Sequence, residues 1–183
     1  MNKSKTPPKN IVLIGFMGSG KSTVGRELHH RLGYQLVDMD QLIEQRAGKP
    51  ITAIFAEDGE DVFREMETRL LEELCDPAAP RRIISTGGGV VGREANRRLL
   101  RHLGYVVWLH APKAVILERT ARNHDRPLLH SDDPAARIEA LLEVRKPLYA
   151  EAAHLKVDTA GLDSGELATG ILESARYFFT GHL

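Results

Sequence analysis

An α/β fold built on one parallel sheet is the prediction, and three observations make it. Short apolar runs alternate with longer amphipathic stretches along the chain, the pattern of strands and helices taking turns. Glycine stands just past several amphipathic stretches, where helices commonly end on a left-handed residue. The first apolar run feeds into Gly15-Phe16-Met17-Gly18-Ser19-Gly20-Lys21-Ser22, a glycine-rich loop that opens a helix and so joins backbone N–H groups to a positive helix end.

Taken in order, residues 1–9 carry Pro7-Pro8 and no apolar segment behind their basic start, which reads as a disordered tail and not as a signal peptide. Residues 10–183 read as a single domain. Strands are expected at 10–15, 34–38, 82–86, 105–110 and 154–159, each bounded by Gly, Pro or polar residues. Helices are expected at 21–32, 41–47, 61–74, 93–103 and 113–122, with Gly33, Gly48 and Gly104 as left-handed caps of the first, second and fourth. In the third, Val62, Met66, Leu70, Leu71 and Leu74 form the expected core stripe, opposite Glu65, Arg69, Glu72 and Glu73. A further helix starts at Pro134 and runs through Arg145, where Pro147 breaks or kinks it, and a last one spans 164–179.

Composition narrows the function. The chain has 183 residues with 25 Lys plus Arg against 25 Asp plus Glu, which suits one domain and offers no cationic surplus for nucleic acid. Its longest apolar runs fall far short of the roughly 20 residues that span a bilayer, so no membrane role is expected. Cys75 stands alone, which excludes an intrachain disulfide and a thiolate zinc site; it reads as a small residue on a helix. A cytoplasmic monomer is the expectation, since no apolar stripe asks for a partner.

The glycine-rich loop meets the pattern G-x-x-x-x-G-K-[ST] and continues into Thr23, so Gly18, Ser19, Gly20, Lys21, Ser22 and Thr23 are the expected triphosphate contacts. Lys21 supplies a mobile charge for the β- and γ-phosphates, and the Ser22 hydroxyl suits one coordination place on Mg²⁺. GTPases carry a late Asn-Lys-x-Asp run, but the only Asn-Lys here is Asn2-Lys3, followed by Ser4-Lys5. Motors and transporters bring larger or additional domains. A small kinase remains.

Four further segments could complete such an enzyme. Asp38-Met39-Asp40 ends the second strand, so one carboxylate can face the metal and the other an acceptor hydroxyl; Asp40 also suits a plain helix cap. Arg64 and Glu67, three apart on a helix, can pair so that the guanidinium is fixed for a carboxylate, or can form an ordinary surface ion pair. Gly87-Gly88-Gly89 follows the third strand, where bare backbone can approach a ligand or simply turn. Ser85 and Thr86 stand where a Walker B acid is usual, which leaves Asp38 to serve the metal. The polar stretch 121–133 reads as a lid over the site, with Arg126 placed to neutralise phosphoryl charge and His124 and His130 as solvated side chains. His29-His30 has the same solvated reading.

Together these segments resemble the shikimate kinase family. The likeness rests on Gly15 to Arg26, Asp38-Met39-Asp40, Ile51 through Phe55 with Gly59-Glu60 and Phe63-Arg64, Thr86 through Gly89, Arg126-Pro127-Leu128-Leu129, and Arg145-Lys146-Pro147-Leu148-Tyr149. It covers nearly the whole chain from Asn10 to about Thr159. It implies ATP-dependent phosphorylation of the 3-hydroxyl of shikimate, with Mg²⁺, on a fold similar to nucleoside monophosphate kinases with strand order 2-3-1-4-5. By position it further implies that Arg64, Arg145 and Gly87, Gly88 and Gly89 hold the acceptor, with Asp40 beside the reacting hydroxyl. Phe55 and Phe63 would form an apolar wall, Glu67 would orient Arg64, Arg119 would stack on adenine, and Arg126 would be the lid arginine. Ser22 and Asp38 would serve the metal. The acceptor-binding helical region falls at about 40–75 and the lid at about 122–134. Residues 158–163 lack the basic residue that some family members place near the adenine. Two other readings stay open: a gluconate kinase, which shares the loop and size but not this set of arginines, and a regulatory module that binds ATP without transferring phosphate.

Overall fold

Five parallel strands build the sheet in the order β2-β3-β1-β4-β5. The computed structural model describes residues 10–121 and 133–180. In chain order these form β1 (Asn10–Ile14), α1 (Lys21–Leu32), β2 (Gln35–Asp38), α2 (Met39–Ala47), α3 (Ile51–Glu57), α4 (Glu60–Leu74) and β3 (Arg82–Ser85). A 3₁₀ turn (Val90–Gly92) leads to α5 (Glu94–Leu103), β4 (Gly104–His110), α6 (Lys113–Ala121), α7 (Pro134–Ala152), β5 (Leu155–Asp158) and α8 (Ser164–Phe179).

Side-chain alternation along the central strands splits the core into two layers. Val12, Ile14, Ile84, Val106 and Trp108 face the layer of α2 to α5 and α7, where Ile43, Ile54, Phe63, Leu70, Leu100 and Tyr149 meet them. Ile11, Leu13, Ile83, Tyr105, Val107 and Leu109 face the other side, against Val24 and Leu28 of α1 and Leu167 and Ile171 of α8. Both faces of β1 and β4 are therefore covered, which is why these strands read as continuous apolar runs. All five strands run parallel, so their carboxyl ends share one edge, and the loops that carry the motifs leave from there.

Several elements differ from expectation for identifiable reasons. α3 is not among the expected helices: its seven residues are too few for a full amphipathic repeat, and only Ile54 is fully buried. α7 continues through Pro147 to Ala152, because the burial of Tyr149 and Ala152 beyond it outweighs the lost helix hydrogen bond. Gly33 and Gly48 do cap helices at φ near 68°, but Gly104 is extended and opens β4. A Cβ on Gly104 would come within 2.2 Å of the Asn10 carbonyl oxygen, so its role is close approach. The Asn10 side-chain amide donates to the Leu103 carbonyl and its oxygen accepts from the Arg82 N–H, which ties β1 to the end of α5 and to the start of β3. On α4, Val62 faces solvent, and Phe63 and Glu67 take the buried face with Leu70, Leu71 and Leu74. Cys75 is half-buried at the end of α4, and burial pushes its thiol pKa up, which suits an inert residue. Among the described residues no helix is long and apolar enough to cross a membrane.

Candidate functional site: a cleft along the carboxyl edge of the sheet

One cleft of about 1130 Å³ runs along that edge, from Leu162 and Arg119 past the glycine-rich loop to Arg145, Phe55 and Arg64. Its middle is made by residues 15–22. Gly15, Gly18 and Gly20 have φ of 145°, 76° and 94°, a region that side-chain-bearing residues rarely adopt. A Cβ on Gly15 would come within 2.4 Å of the Leu109 carbonyl oxygen, so the loop lies directly on β4. Lys21 Nζ donates to the Gly15 and Phe16 carbonyls at 2.8 and 3.0 Å, folding the side chain across its own loop. Ser19 Oγ is buried with no hydrogen-bond partner among the described residues, a polar group suited to a ligand oxygen. The Arg119 guanidinium donates to the Gly18 carbonyl at 2.9 Å and lines the same stretch of cleft. Gly18, Ser19, Gly20, Lys21, Ser22, Thr23 and Arg119 all line it.

The two aspartates part company where β2 turns into α2. Asp38, not Asp40, caps α2: its Oδ1 accepts from the Gln41 N–H at 3.2 Å, because the helix begins at Met39. Its Oδ2 accepts from the Ser22 hydroxyl at 3.4 Å, so a carboxylate and a hydroxyl meet at the mouth of the loop. Asp40 therefore lies in the first helical turn and not on an extended segment. Its Oδ1 stands 2.7 Å from where a Cβ on Gly87 would lie.

Farther along, charged side chains from distant segments converge. Arg64 Nη1 donates to Glu67 Oε2 at 2.6 Å, and Arg64 Nη2 donates to Glu60 Oε1 at 2.8 Å. This is no surface pair: the Arg64 side chain is 13% exposed and that of Glu67 is fully buried. Removing one member of such a pair costs about 3–5 kcal/mol, against under about 1 kcal/mol for an exposed pair. Burial works against the Arg64 charge, but Glu67 and Glu60 outweigh it and hold its pKa above the ordinary value. Burial likewise pushes the Glu67 carboxyl up, while Arg64 pulls it back down. The Arg64 guanidinium lies over Phe63 and Phe55, 5.2 and 6.0 Å from their ring centres.

The three glycines make room for this cluster. A Cβ on Gly87 would sit 2.7 Å from both Asp40 Oδ1 and Glu67 Oε1, and one on Gly89 would sit 2.5 Å from both terminal Arg64 nitrogens. On Gly88 it would approach the Met17 N–H of the phosphate loop to 3.2 Å, so the glycine turn touches both halves of the cleft. Arg145 reaches the same place from α7, with its guanidinium 5.6 Å above the Phe16 ring. It is buried, burial pushes its pKa down, and its Nη1 has no hydrogen-bond partner among the described residues.

The structure thus brings Asp38, Asp40, Phe55, Phe63, Arg64, Glu67, Gly87, Gly88, Gly89, Arg119 and Arg145 onto one cleft with the phosphate loop. Arg126, His124, His130 and most of the expected lid, 122–132, lie outside the described residues, as does the tail, 1–9. Two side chains that the family likeness includes have no role assigned from the sequence. Glu60 is the second partner of Arg64, a pairing signalled only by its i,i+4 spacing. Tyr149, buried behind Gly88, looks in the sequence like any core aromatic. Chemically, the arrangement can hold a polyphosphate on backbone amides and, beside it, an acid within reach of a carboxylate and two guanidinium groups.

Known proteins resemble this chain in sequence and fold. A sequence model described as shikimate kinase matches residues 17–176. The shikimate kinase of Halorhodospira halophila is 46% identical over 91% of this chain and 93% of its own, and that of Thioalkalivibrio sulfidiphilus is 45% identical over 94% and 88%. Shikimate kinase from Acinetobacter baumannii, solved in complex with shikimate, superposes with a TM-score of 0.87 at 40% identity, covering 94% of this chain and 95% of that one. A gluconokinase from Sinorhizobium meliloti, 20% identical with a TM-score of 0.56, shares the fold alone. The chain belongs to the shikimate kinase family, whose members are ATP-dependent phosphotransferases.

Proposed function

We propose that the chain transfers the γ-phosphoryl group of ATP to the 3-hydroxyl of shikimate, giving shikimate 3-phosphate and ADP. The observation that carries the acceptor is the pair of arginines beside the phosphate loop. Arg145 Nη1 is buried without a protein partner among the described residues, and the Arg64 guanidinium is held in place by Glu67 and Glu60. Two guanidinium groups in a largely dry setting suit one carboxylate, which the acceptor carries and water alone would not satisfy. Phe55 and Phe63, their ring centres 5.1 Å apart, offer an apolar wall for a ring.

In this reading the triphosphate lies along residues 18–23, and Lys21 exchanges its bonds to Gly15 and Phe16 for phosphate oxygens. Arg119 flanks the base end. Asp40 aligns the acceptor hydroxyl and takes its proton as the P–O bond forms. Arg126 adds positive charge from the segment 122–134, which we assign as the lid, while the region of about 40–75 holds the acceptor. Closure would exclude water and so suppress hydrolysis of ATP. Ser22 and Asp38 fit Mg²⁺: a hydroxyl and a carboxylate are hard oxygen donors, and this ion commonly takes one or two protein oxygens and fills its shell with phosphate and water. Bound there, it would neutralise charge developing on the phosphates. The acceptor and phosphate groups all come from one chain, which fits a monomer, and ATP as co-substrate fits a cytoplasmic setting.

ADP release from Mg-ATP tests this, measured alone and with shikimate, gluconate or a nucleoside monophosphate in separate reactions. Turnover with shikimate only is expected. Turnover with another acceptor would overturn the arginine assignments, and ATP binding without any turnover would favour a regulatory module.

A further inference from the structure

Tyr149 follows Arg145 by four residues on α7, so the two share a helix face. It is 1% exposed and stands behind the cleft wall. Its ring stacks on Trp108 with centroids 5.6 Å apart, and its hydroxyl donates to the Gly88 carbonyl. The Arg145 guanidinium sits against the same hydroxyl. A guanidinium offers only N–H donors and a carbonyl only accepts, so the one hydroxyl proton is committed to Gly88 and an oxygen lone pair faces Arg145. Burial pushes the Tyr149 pKa up, which keeps that proton in place.

The consequence reaches the cleft through one peptide plane. All described peptide bonds are trans, and in a trans unit the N–H of the next residue points opposite to the carbonyl. Holding the Gly88 carbonyl toward α7 therefore turns the Gly89 N–H away from α7. Gly89 lines the cleft, with the Arg64 guanidinium directly against it.

We propose that Tyr149 is a positioning residue for the acceptor carboxylate: from behind the cleft it sets the Gly88–Gly89 peptide and the Arg145 guanidinium together, so that an amide N–H and a guanidinium present themselves to one anion. The inference rests on the reading of the acceptor as shikimate. It assigns Tyr149 no contact with the substrate and no part in proton transfer.

Tyr149→Phe keeps the ring and its stacking on Trp108 while removing the hydroxyl. The expected result is a shikimate KM raised roughly five- to tenfold with the ATP KM unchanged. Shikimate methyl ester supplies the readout that a merely structural role would not move. Its weaker anion recognition should shrink the difference between wild type and Tyr149→Phe to about twofold or less. Calorimetric titration of shikimate without nucleotide should repeat the split for binding alone. If wild type turns over shikimate and Tyr149→Phe has the same shikimate KM, or raises both KM values equally, the role assigned to Tyr149 is wrong. A penalty that persists in full with the ester also overturns it. A wild-type protein idle with shikimate would instead remove the functional reading, and this inference with it.

Discussion

At the end of the cleft we assign to phosphate, the lining comes mainly from one run of consecutive residues, 17–24, much of it backbone, with Arg119 beside it. At the end we assign to the acceptor the lining groups are mostly side chains, drawn from α2, α3, α4 and α7 around the bare backbone of the glycine turn, among them charges buried in pairs. The first end is a conformation, fixed by glycines at positive φ and by the approach of Gly15 to β4. The second is an electrostatic assembly, in which Glu67 and Glu60 hold Arg64 and the glycines leave space for it. Loss of a side chain should therefore injure one ligand's binding at the acceptor end, whereas the phosphate end should suffer most from added bulk or from loss of its single lysine charge.

The largest effect is expected where the two ends meet. Asp40→Asn should lower kcat by roughly 10²–10⁴ while leaving ATP affinity within about twofold, read by steady-state kinetics beside nucleotide titration. An unchanged kcat would remove Asp40 from the chemical step. Next comes Lys21→Met, which deletes the mobile charge of the phosphate end. A kcat/KM for ATP lower by about a hundredfold or more is expected, with shikimate binding by calorimetry retained. Equal damage to both ligands would erase the division between the ends.

Gly89→Ala sharpens the division from the other side. Its methyl group would press on both terminal nitrogens of Arg64, so the shikimate KM should rise about tenfold or more with little change for ATP. Bulk is thus harmful at the acceptor end as well, but through a side chain it displaces and not through the backbone.

These contrasts also explain what could be read from the chain beforehand. The phosphate loop was legible because its requirements are local: a strand, glycines at set offsets, Lys21 and Ser22, then a helix. The sheet was legible for a similar reason, since strands covered on both faces are apolar throughout. The start of α2 was less legible: the helix begins at Met39, two residues earlier than expected, so the cap falls to Asp38 and not to Asp40. The acceptor end was legible only in pieces, as the Asp40 turn, the Arg64–Glu67 spacing and the glycine run, and family likeness alone put the pieces together. Nothing local says that Arg64 and Arg145, 81 positions apart in number, share a cleft. Tyr149 stayed hidden because its partner is a carbonyl on another segment, which no side-chain pattern reports.

The smallest expected effect lies at neither end and serves as a control on both. His154 Nδ1 accepts from the Val106 N–H at 2.9 Å and its ring packs against both Tyr105 and Phe178. Burial, with Arg101 nearby, lowers its pKa to about 4 from an ordinary 6.5. Between those values the unfolded chain binds more protons than the folded one. The stability tied to neutral His154 is therefore complete above about pH 6.5 and is lost as pH falls toward 4. His154→Asn, which retains an acceptor for Val106, should flatten the melting temperature across that window without altering either KM at pH 7.5. An unchanged slope would place the acid sensitivity elsewhere.

The division of the cleft is tested most directly by the two Michaelis constants of Arg64→Ala. General loosening of the fold would raise both together, so their ratio isolates the acceptor end. The predicted result is a shikimate KM raised by about a hundredfold with the ATP KM within about twofold of wild type. Equal increases in both, or an unchanged shikimate KM, would contradict the claim that Arg64 serves the acceptor carboxylate and that the two ends recognise their ligands separately.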